Sequence, residues 1–154
     1  MPLNTQLVPR EIAYILQDAQ AKVLITMTKL PLEEELAAYP AAPTVRQLVM
    51  GEIFSHLERS DTPSVPPITG LSEETLCTII YTSGTTGHPK GAMLSHGNLL
   101  SNAAMLKVYW GWQEGDVLIH ALPIFHVHGL FVAIHGALLN GSPMIWFARF
   151  EPEA

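Results

Sequence analysis

The stretch of sequence that decides the fold of this chain is Tyr81-Thr82-Ser83-Gly84-Thr85-Thr86-Gly87-His88-Pro89-Lys90-Gly91, whose first two residues end a predicted strand at residues 76–82. Its three glycines allow positive φ angles and a close approach of the backbone to a ligand, and its hydroxyl side chains can donate hydrogen bonds. Lys90 is the only Lys or Arg between Arg59 and Lys107. Because lysine acts as a compact charge toward phosphate oxygens, the stretch predicts a loop that binds a polyphosphate.

The commonest glycine-rich phosphate loop, G-x-x-x-x-G-K-[ST], does not fit this stretch. Counted from Gly84, the second glycine position holds Pro89 and the final hydroxyl position holds Gly91. A glycine-rich turn between two strands, with no ligand, is the simpler alternative. The concentration of hydroxyl groups, glycines and a lysine in so short a segment favours phosphate binding over that alternative.

Hydrophobic patterns on both sides of the loop predict alternating strands and helices. Downstream, strands are predicted at 92–94, 117–122 and 143–147, with helices at 96–109 and 126–139. Upstream, the patterns predict a helix from Pro9, strands at 22–26 and 44–50, a solvated helix face carrying Glu33 to Glu35, and helical turns at 52–59. This alternation predicts the α/β fold class: a partial layered sheet, largely buried, with flanking helices.

A change in composition divides the chain. Residues 60–70 are rich in Pro, Ser, Thr and Gly, which is typical of a loop. We therefore expect an upstream αβ segment at residues 1–60, a Pro-rich loop at 61–70, and a segment at 71–154 that carries the chemistry.

Composition and charge argue against several classes of protein. The chain has 154 residues, 48% hydrophobic and 14% charged, with a net charge of −6. These values argue against disorder and against a nucleic-acid partner. Residues 117–148 contain no Asp, Glu, Lys or Arg, but histidines and prolines interrupt them, so we expect burial and no membrane span.

The amino-terminal residues and the single cysteine bear on location. No secretory signal is visible at residues 1–6, so a cytoplasmic protein is expected. Cys77 lies in the apolar run 76–80 and is expected to be a small buried hydrophobe in a reducing compartment.

The stretch from Tyr81 to Gly91, continued to Leu99, closely resembles the signature loop of the adenylate-forming superfamily, which includes acyl-CoA synthetases, luciferases and peptide-synthetase adenylation domains. Residues 2–5 and 11–24 resemble the family's upstream αβ segment. Residues 122–129, Leu-Pro-Ile-Phe-His-Val-His-Gly, resemble its downstream substrate-side motif. The resemblance implies a fragment of the family's large amino-terminal domain.

The resemblance also implies the chemistry. The loop would surround the β- and γ-phosphates of ATP while a small carboxylic acid attacks the α-phosphate, giving an acyl-adenylate and, with coenzyme A, an acyl-CoA thioester. Mg²⁺ would be required. The implied nucleotide-binding residues are Thr82, Ser83, Gly84, Thr85, Thr86, Gly87 and Lys90, with Lys90 also catalytic. The resemblance places His126 beside the acid; His128 is a second candidate contact, because a histidine can donate a hydrogen bond to a carboxylate.

Other interpretations of the polar residues are weaker. His126 and His128 could form an H-x-H metal site, but the next acid after Asp116 is Glu151, so no metal is expected. His128 and His135 are seven residues apart and would share a helix face, which is typical of packing. Ser95-His96 lacks the G-x-S-x-G setting of a serine hydrolase.

Residues 2–5, 125–133 and 147–152 look most like malonyl-CoA synthetases, and Arg149 is the only nearby cation for a second carboxylate. A fatty acid is the alternative substrate. The motifs for adenine and ribose, the hinge and the carboxy-terminal catalytic lysine are not found in the chain. We therefore expect a fragment that is inactive alone and depends on the rest of the enzyme; a non-catalytic nucleotide- or partner-binding remnant is the alternative.

Overall fold

The computed structural model describes residues 1–39, 44–57, 67–82 and 88–151. The chain separates into two compact units: residues 6–69 form one, and residues 1–5 with 70–154 form the other.

In the 6–69 unit, one amphipathic helix provides most of the buried apolar residues. Helix α1, Pro9–Asp18, has proline in its first turn, and the Glu11 carboxylate accepts a hydrogen bond from the Val8 N–H at 3.0 Å. Its apolar residues recur at helical spacing, and Ile15 and Leu16 are almost completely buried. This confirms the helix predicted from Pro9.

Two short parallel strands complete the 6–69 unit together with two further helices. Strand β1, Val23–Thr26, pairs in parallel with β2, Arg46–Val49. Helix α2, Glu33–Ala37, buries none of its residues, which confirms the solvated helix predicted around the three glutamates. Helix α3 spans Met50–Leu57.

The 70–154 part of the second unit begins with an antiparallel strand pair and a long helix. Strand β3, Leu76–Thr82, pairs with β4, Lys90–Ser95, and helix α4, His96–Tyr109, follows. Ser95 caps this helix: its Oγ accepts from the Asn98 N–H at 3.2 Å, and Asn98 Oδ1 accepts from the Ser95 N–H at 3.0 Å. The helix has the predicted bounds.

A parallel strand pair ends the described chain. Strand β5, Leu118–His120, pairs with β6, Met144–Trp146. Between them lie a π-helix, His128–Ile134, and helix α5, His135–Asn140, which ends at Gly141 with φ +72°. The core of the unit is a cluster of Ile80, Leu99 and Phe131 against which Leu94 and Leu130 pack.

Three expectations need correction. The described strands form three separate pairs, not one largely buried sheet, and outward residues such as Ile119 and Ile145 are exposed. Cys77 is exposed, because the exposure of a strand residue depends on what packs over the strand and not on its apolar neighbours in sequence; it lies at the register shift between Leu76 and Thr78.

The third correction concerns the predicted helix at 126–139. It begins at His128 and its first part is wound as a π-helix. The two histidines that were expected to share a face therefore lie in different helical windings, and His128 is exposed while His135 is partly buried.

Among the described residues, no helix combines the length and the apolar character needed to cross a bilayer.

Candidate functional site

Two of the predicted site residues lie opposite each other where the predicted loop joins β3 to β4. Thr82, the last residue of β3, is the cross-strand partner of Lys90, the first residue of β4. Directly opposed residues of an antiparallel pair carry their side chains on the same face, with Cβ atoms about 5 Å apart. The Thr82 hydroxyl also donates a long hydrogen bond, 3.5 Å, to the Lys90 carbonyl. The side chains that carry a hydroxyl donor and an ammonium group thus start from neighbouring positions on one face.

Lys90 is exposed, and no ion pair of its side chain is found among the described residues. The ammonium group is therefore available to an anion from solution. The rest of the predicted loop, Ser83, Gly84, Thr85, Thr86 and Gly87, lies outside the described residues.

Gly91 has a different role from the one its sequence position suggested. It does not have a positive φ angle, because it is paired within β4 opposite Tyr81. A Cβ at this position would lie 2.8 Å from Ile79 Cγ2 and 3.0 Å from Tyr81 Cζ. Gly91 therefore leaves room for the Tyr81 ring next to the loop, as glycines opposite aromatic residues do in sheets.

The acid-side motif follows β5 as a tight turn. The His126 N–H donates to the Pro123 carbonyl at 3.2 Å, and the Leu130 N–H donates to the His126 carbonyl at 3.0 Å. A Cβ on Gly129 would lie only 2.4 Å from the Pro123 carbonyl oxygen. Only glycine fits where the start of the π-helix contacts this turn.

The two histidines predicted to contact the acid are both exposed. The His126 ring lies 5.1 Å from the Phe125 ring, tilted by 36°. Within the described ranges, no hydrogen bond or ring contact joins His126 or His128 to Thr82 or Lys90. The structure thus keeps the hairpin residues and the histidines as two separate groups within one unit.

The π-helix, which begins at His128, is attached to α4. The Asn102 side chain donates from Nδ2 to the Phe131 carbonyl at 3.3 Å. His135 packs edge-on against Phe131, with ring centroids 5.0 Å apart, and burial lowers the pKa of this imidazole. π-Helical segments are often found at functional sites.

His120 was not singled out by the sequence, but it is the most unusual polar residue of the unit. It ends β5, is 2% exposed, and neither imidazole nitrogen has a hydrogen-bond partner among the described residues. Its ring lies edge-on to Trp146, 4.7 Å away. The only sequence signal was its place immediately before the motif at 122–129.

Arg149 lies near the carboxyl ends of β5 and β6. It lines a cavity of about 430 Å³ with mostly apolar neighbours: Ile119, Ala121, Phe147, Ala148, Phe150 and Glu151. Its guanidinium is paired with the Glu151 carboxylate. The one cation expected near the acid therefore already has a partner.

Comparisons with known proteins identify the family. The family model described as AMP-binding enzyme matches residues 1–154. A feruloyl-CoA synthase from Amycolatopsis sp is 35% identical over 154 residues, which is 100% of this chain and 30% of that protein. A mitochondrial malonate-CoA ligase from Xenopus laevis is 32% identical over 159 residues, covering 99% of this chain and 26% of the ligase.

A solved structure extends the similarity to three dimensions. The crystal structure of ATP-bound MatB from Rhodopseudomonas palustris matches with a TM-score of 0.78 and 38% identity, covering 99% of this chain and 31% of that chain. This match confirms the predicted α/β fold class. The chain spans about a third or less of the length of these relatives.

Proposed function

The chain belongs to the AMP-binding enzyme family, and we propose that it supplies the phosphate-binding and acid-binding segment of an ATP-dependent carboxylate-CoA ligase. The relatives are ligases of this class. The observation that carries the proposal is the pairing of Thr82 with Lys90 at the mouth of the predicted loop. These two groups are suited to the phosphates of a nucleotide because an ammonium charge and a hydroxyl donor are both complementary to phosphate oxygens.

In the proposed reaction, a carboxylate oxygen attacks the α-phosphorus of ATP, and pyrophosphate leaves. Negative charge builds up on the leaving pyrophosphate, and Lys90 would stabilise it electrostatically. In the second step the thiol of coenzyme A attacks the acyl carbon and AMP leaves. Ser83, Gly84, Thr85, Thr86 and Gly87 are proposed as further nucleotide contacts.

Mg²⁺ is proposed to arrive with the nucleotide. Within the described ranges, no group of three or more His, Cys, Asp or Glu side chains could hold a metal ion. Mg²⁺ is commonly bound by substrate phosphates together with few protein groups and several waters. On this proposal the nucleotide phosphates carry Mg²⁺, and no protein metal site is invoked.

His126 and His128 are proposed to contact the acid. Both are exposed on the segment that follows β5, the first strand of a parallel pair, and ligands of open α/β sheets bind beyond the carboxyl ends of such strands. Malonate is the proposed acid, on the resemblance to malonate-activating relatives. Because Arg149 is already paired with Glu151, a second carboxylate would have to compete for that guanidinium.

Titration of the purified chain with Mg-ATP by calorimetry tests the proposal. We expect saturable binding that weakens at least tenfold in Lys90→Ala, with unchanged thermal unfolding because the side chain is exposed. Lys29→Ala is the matched control, since Lys29 is also exposed and the variant loses the same charge. If both variants weakened Mg-ATP binding equally, the loss of affinity would be explained by the change in net charge, which would contradict a specific role for Lys90.

A second measurement addresses the acid. ATP–pyrophosphate exchange by the purified chain with malonate is expected to be absent, whereas nucleotide binding remains. Exchange above the no-enzyme background would show that the chain alone activates an acid and would overturn the expectation that the rest of the domain is needed.

A further inference from the structure

His120 combines deep burial with two unused hydrogen-bonding atoms. Its side chain is 2% exposed, and both Nδ1 and Nε2 are buried without a partner among the described residues. A neutral imidazole carries one N–H donor and one nitrogen acceptor. Leaving either unsatisfied in a protein interior lowers stability, so such groups usually mark a functional position or an internal water.

The position of His120 in the fold points to a ligand. It is the last residue of β5 and is paired with Trp146, the last residue of β6. The carboxyl ends of parallel strands are where open α/β sheets bind ligands. Ile119 is 68% exposed on one face of β5, so the alternation of side chains places His120 on the opposite, covered face, and β5 contacts the π-helix.

The surrounding sequence limits the chemistry of that ligand. No Asp, Glu, Lys or Arg occurs from Val117 to Ala148, so nearby residues along the chain offer the imidazole no charged partner. A hydrogen bond from an imidazole N–H to a carboxylate is charge-assisted, and it is strengthened in a site without water.

Access to His120 depends on the turn that follows it. Leu122, Ile124 and Val127 of this turn are 45%, 54% and 44% exposed. Two backbone hydrogen bonds described above, to the carbonyls of Pro123 and His126, hold it. Because these side chains are already about half exposed, moving the turn uncovers little further apolar surface, but it breaks these two hydrogen bonds and the contact between Gly129 and the Pro123 carbonyl.

We propose that His120 is a third acid-site residue: its imidazole N–H donates a hydrogen bond to the carboxylate of the bound acid when the turn at 121–127 moves aside. The inference rests on the proposed function for the identity of the ligand as a carboxylic acid. A packed aromatic ring with a trapped water is the competing explanation, and it makes opposite predictions about stability and acid binding.

The test uses the purified 154-residue chain labelled with ¹⁵N-histidine. The His120 ring signals are assigned by their loss in His120→Phe, and the chain is titrated with sodium malonate against sodium chloride of equal ionic strength. We expect a saturable shift of the His120 ring nitrogens, with the His96 signals unchanged. Malonate affinity should fall at least tenfold in His120→Phe and largely recover in His120→Gln, whose amide retains a donor and an acceptor.

Two controls separate the possible outcomes. Thermal unfolding of His120→Phe should occur at the same or a higher temperature, because an apolar ring leaves no unsatisfied nitrogen. A lower unfolding temperature with unchanged malonate affinity would overturn the proposal in favour of a trapped water. Mg-ATP binding in the same samples distinguishes the two proposals: if Mg-ATP binds but malonate leaves His120 unaffected, only the His120 inference fails. If neither ligand binds the folded chain, both fail.

Discussion

The two strand pairs of the 70–154 segment carry polar chemistry in opposite ways. The antiparallel pair β3–β4 opens to solvent and presents Thr82 and Lys90 on its surface. The parallel pair β5–β6 ends at His120, which is buried with both nitrogens unpaired. Exposed polar groups remain hydrated and cost little stability, whereas a buried unpaired group must be compensated elsewhere. We therefore expect substitutions of Thr82 or Lys90 to change ligand binding without changing stability, and substitutions of His120 to affect both.

The largest expected effect tests how rigidly the parallel end is built. In Gly129→Ala, the new methyl group would lie 2.4 Å from the Pro123 carbonyl oxygen, and a backbone atom cannot turn away as a side chain can. We expect a loss of about 3 kcal/mol in the free energy of unfolding, measured by urea denaturation. Gly51→Ala is the control, since nothing lies within 4 Å of its new Cβ, and alanine is the better helix former.

An unchanged denaturation midpoint in Gly129→Ala would show that the turn at 121–127 yields easily. That result would remove the contrast between a rigid acid-side turn and an open hairpin.

Gly91→Ala applies the same change to the hairpin. Here the obstacles are side-chain atoms, Ile79 Cγ2 at 2.8 Å and Tyr81 Cζ at 3.0 Å, which can move. We therefore expect a smaller loss, about 1 kcal/mol. In a Tyr81→Ala background the cost of Gly91→Ala should be smaller, because the ring is gone and only Ile79 Cγ2 remains in the way; additive losses in this double-mutant cycle would show that the ring is not responsible.

These contrasts also explain what could be predicted from the sequence. Helix α4 was predicted with its observed bounds because the start and the apolar pattern of a helix are local features, and the Ser95–Asn98 cap lies within a few residues. The π-helix was not predicted, because its winding accompanies the contact between Gly129 and the Pro123 carbonyl. Burial of Cys77 was wrongly predicted because the exposure of a strand residue depends on what covers the strand.

The candidate site also contains residues that local sequence could identify and one that it could not. Thr82 and Lys90 were identified because glycines, hydroxyls and a charge cluster within a short loop, and the antiparallel register then places them opposite each other. His120 escaped attention because a lone histidine in an apolar strand has no distinctive sequence pattern. Only the packing reveals that its nitrogens are unpaired.

Thr82→Val tests whether the hydroxyl at the loop end of β3–β4 affects ligand binding without affecting stability. Valine keeps the shape and the strand preference of threonine but removes the hydroxyl, whose only described hydrogen bond is a long one to the Lys90 carbonyl. We expect Mg-ATP affinity to fall about fivefold, equivalent to about 1 kcal/mol, with no measurable change in thermal unfolding. Thr44→Val, at an exposed position of the 6–69 unit, should leave both quantities unchanged. A large loss of stability in Thr82→Val would contradict the view that the exposed Thr82 hydroxyl serves ligand binding and contributes little to folding.

The smallest expected effect concerns pH. Burial lowers the pKa of His135 below its ordinary value of 6.5, so between that lowered pKa and 6.5 the unfolded chain binds more protons at this residue than the folded chain does. Stability from this group is therefore present above pH 6.5 and is lost as the pH falls toward the folded-state pKa. The unfolding temperature of the wild-type chain minus that of His135→Gln should decrease slightly from pH 7.5 to pH 5.5. A difference that is constant or grows on acidification would contradict the lowered pKa.

The exposed position of Cys77 has a practical consequence for such experiments. It is the single cysteine of the chain and its thiol is open to solvent, so a maleimide dye would attach at one defined place. That place adjoins α4 and α5, since Cys77 shares a groove with Leu99 and His135. In air and without a reductant, dissolved oxygen can oxidise the thiols of two chains to a disulfide, and a band of twice the monomer mass on non-reducing gels would reveal it.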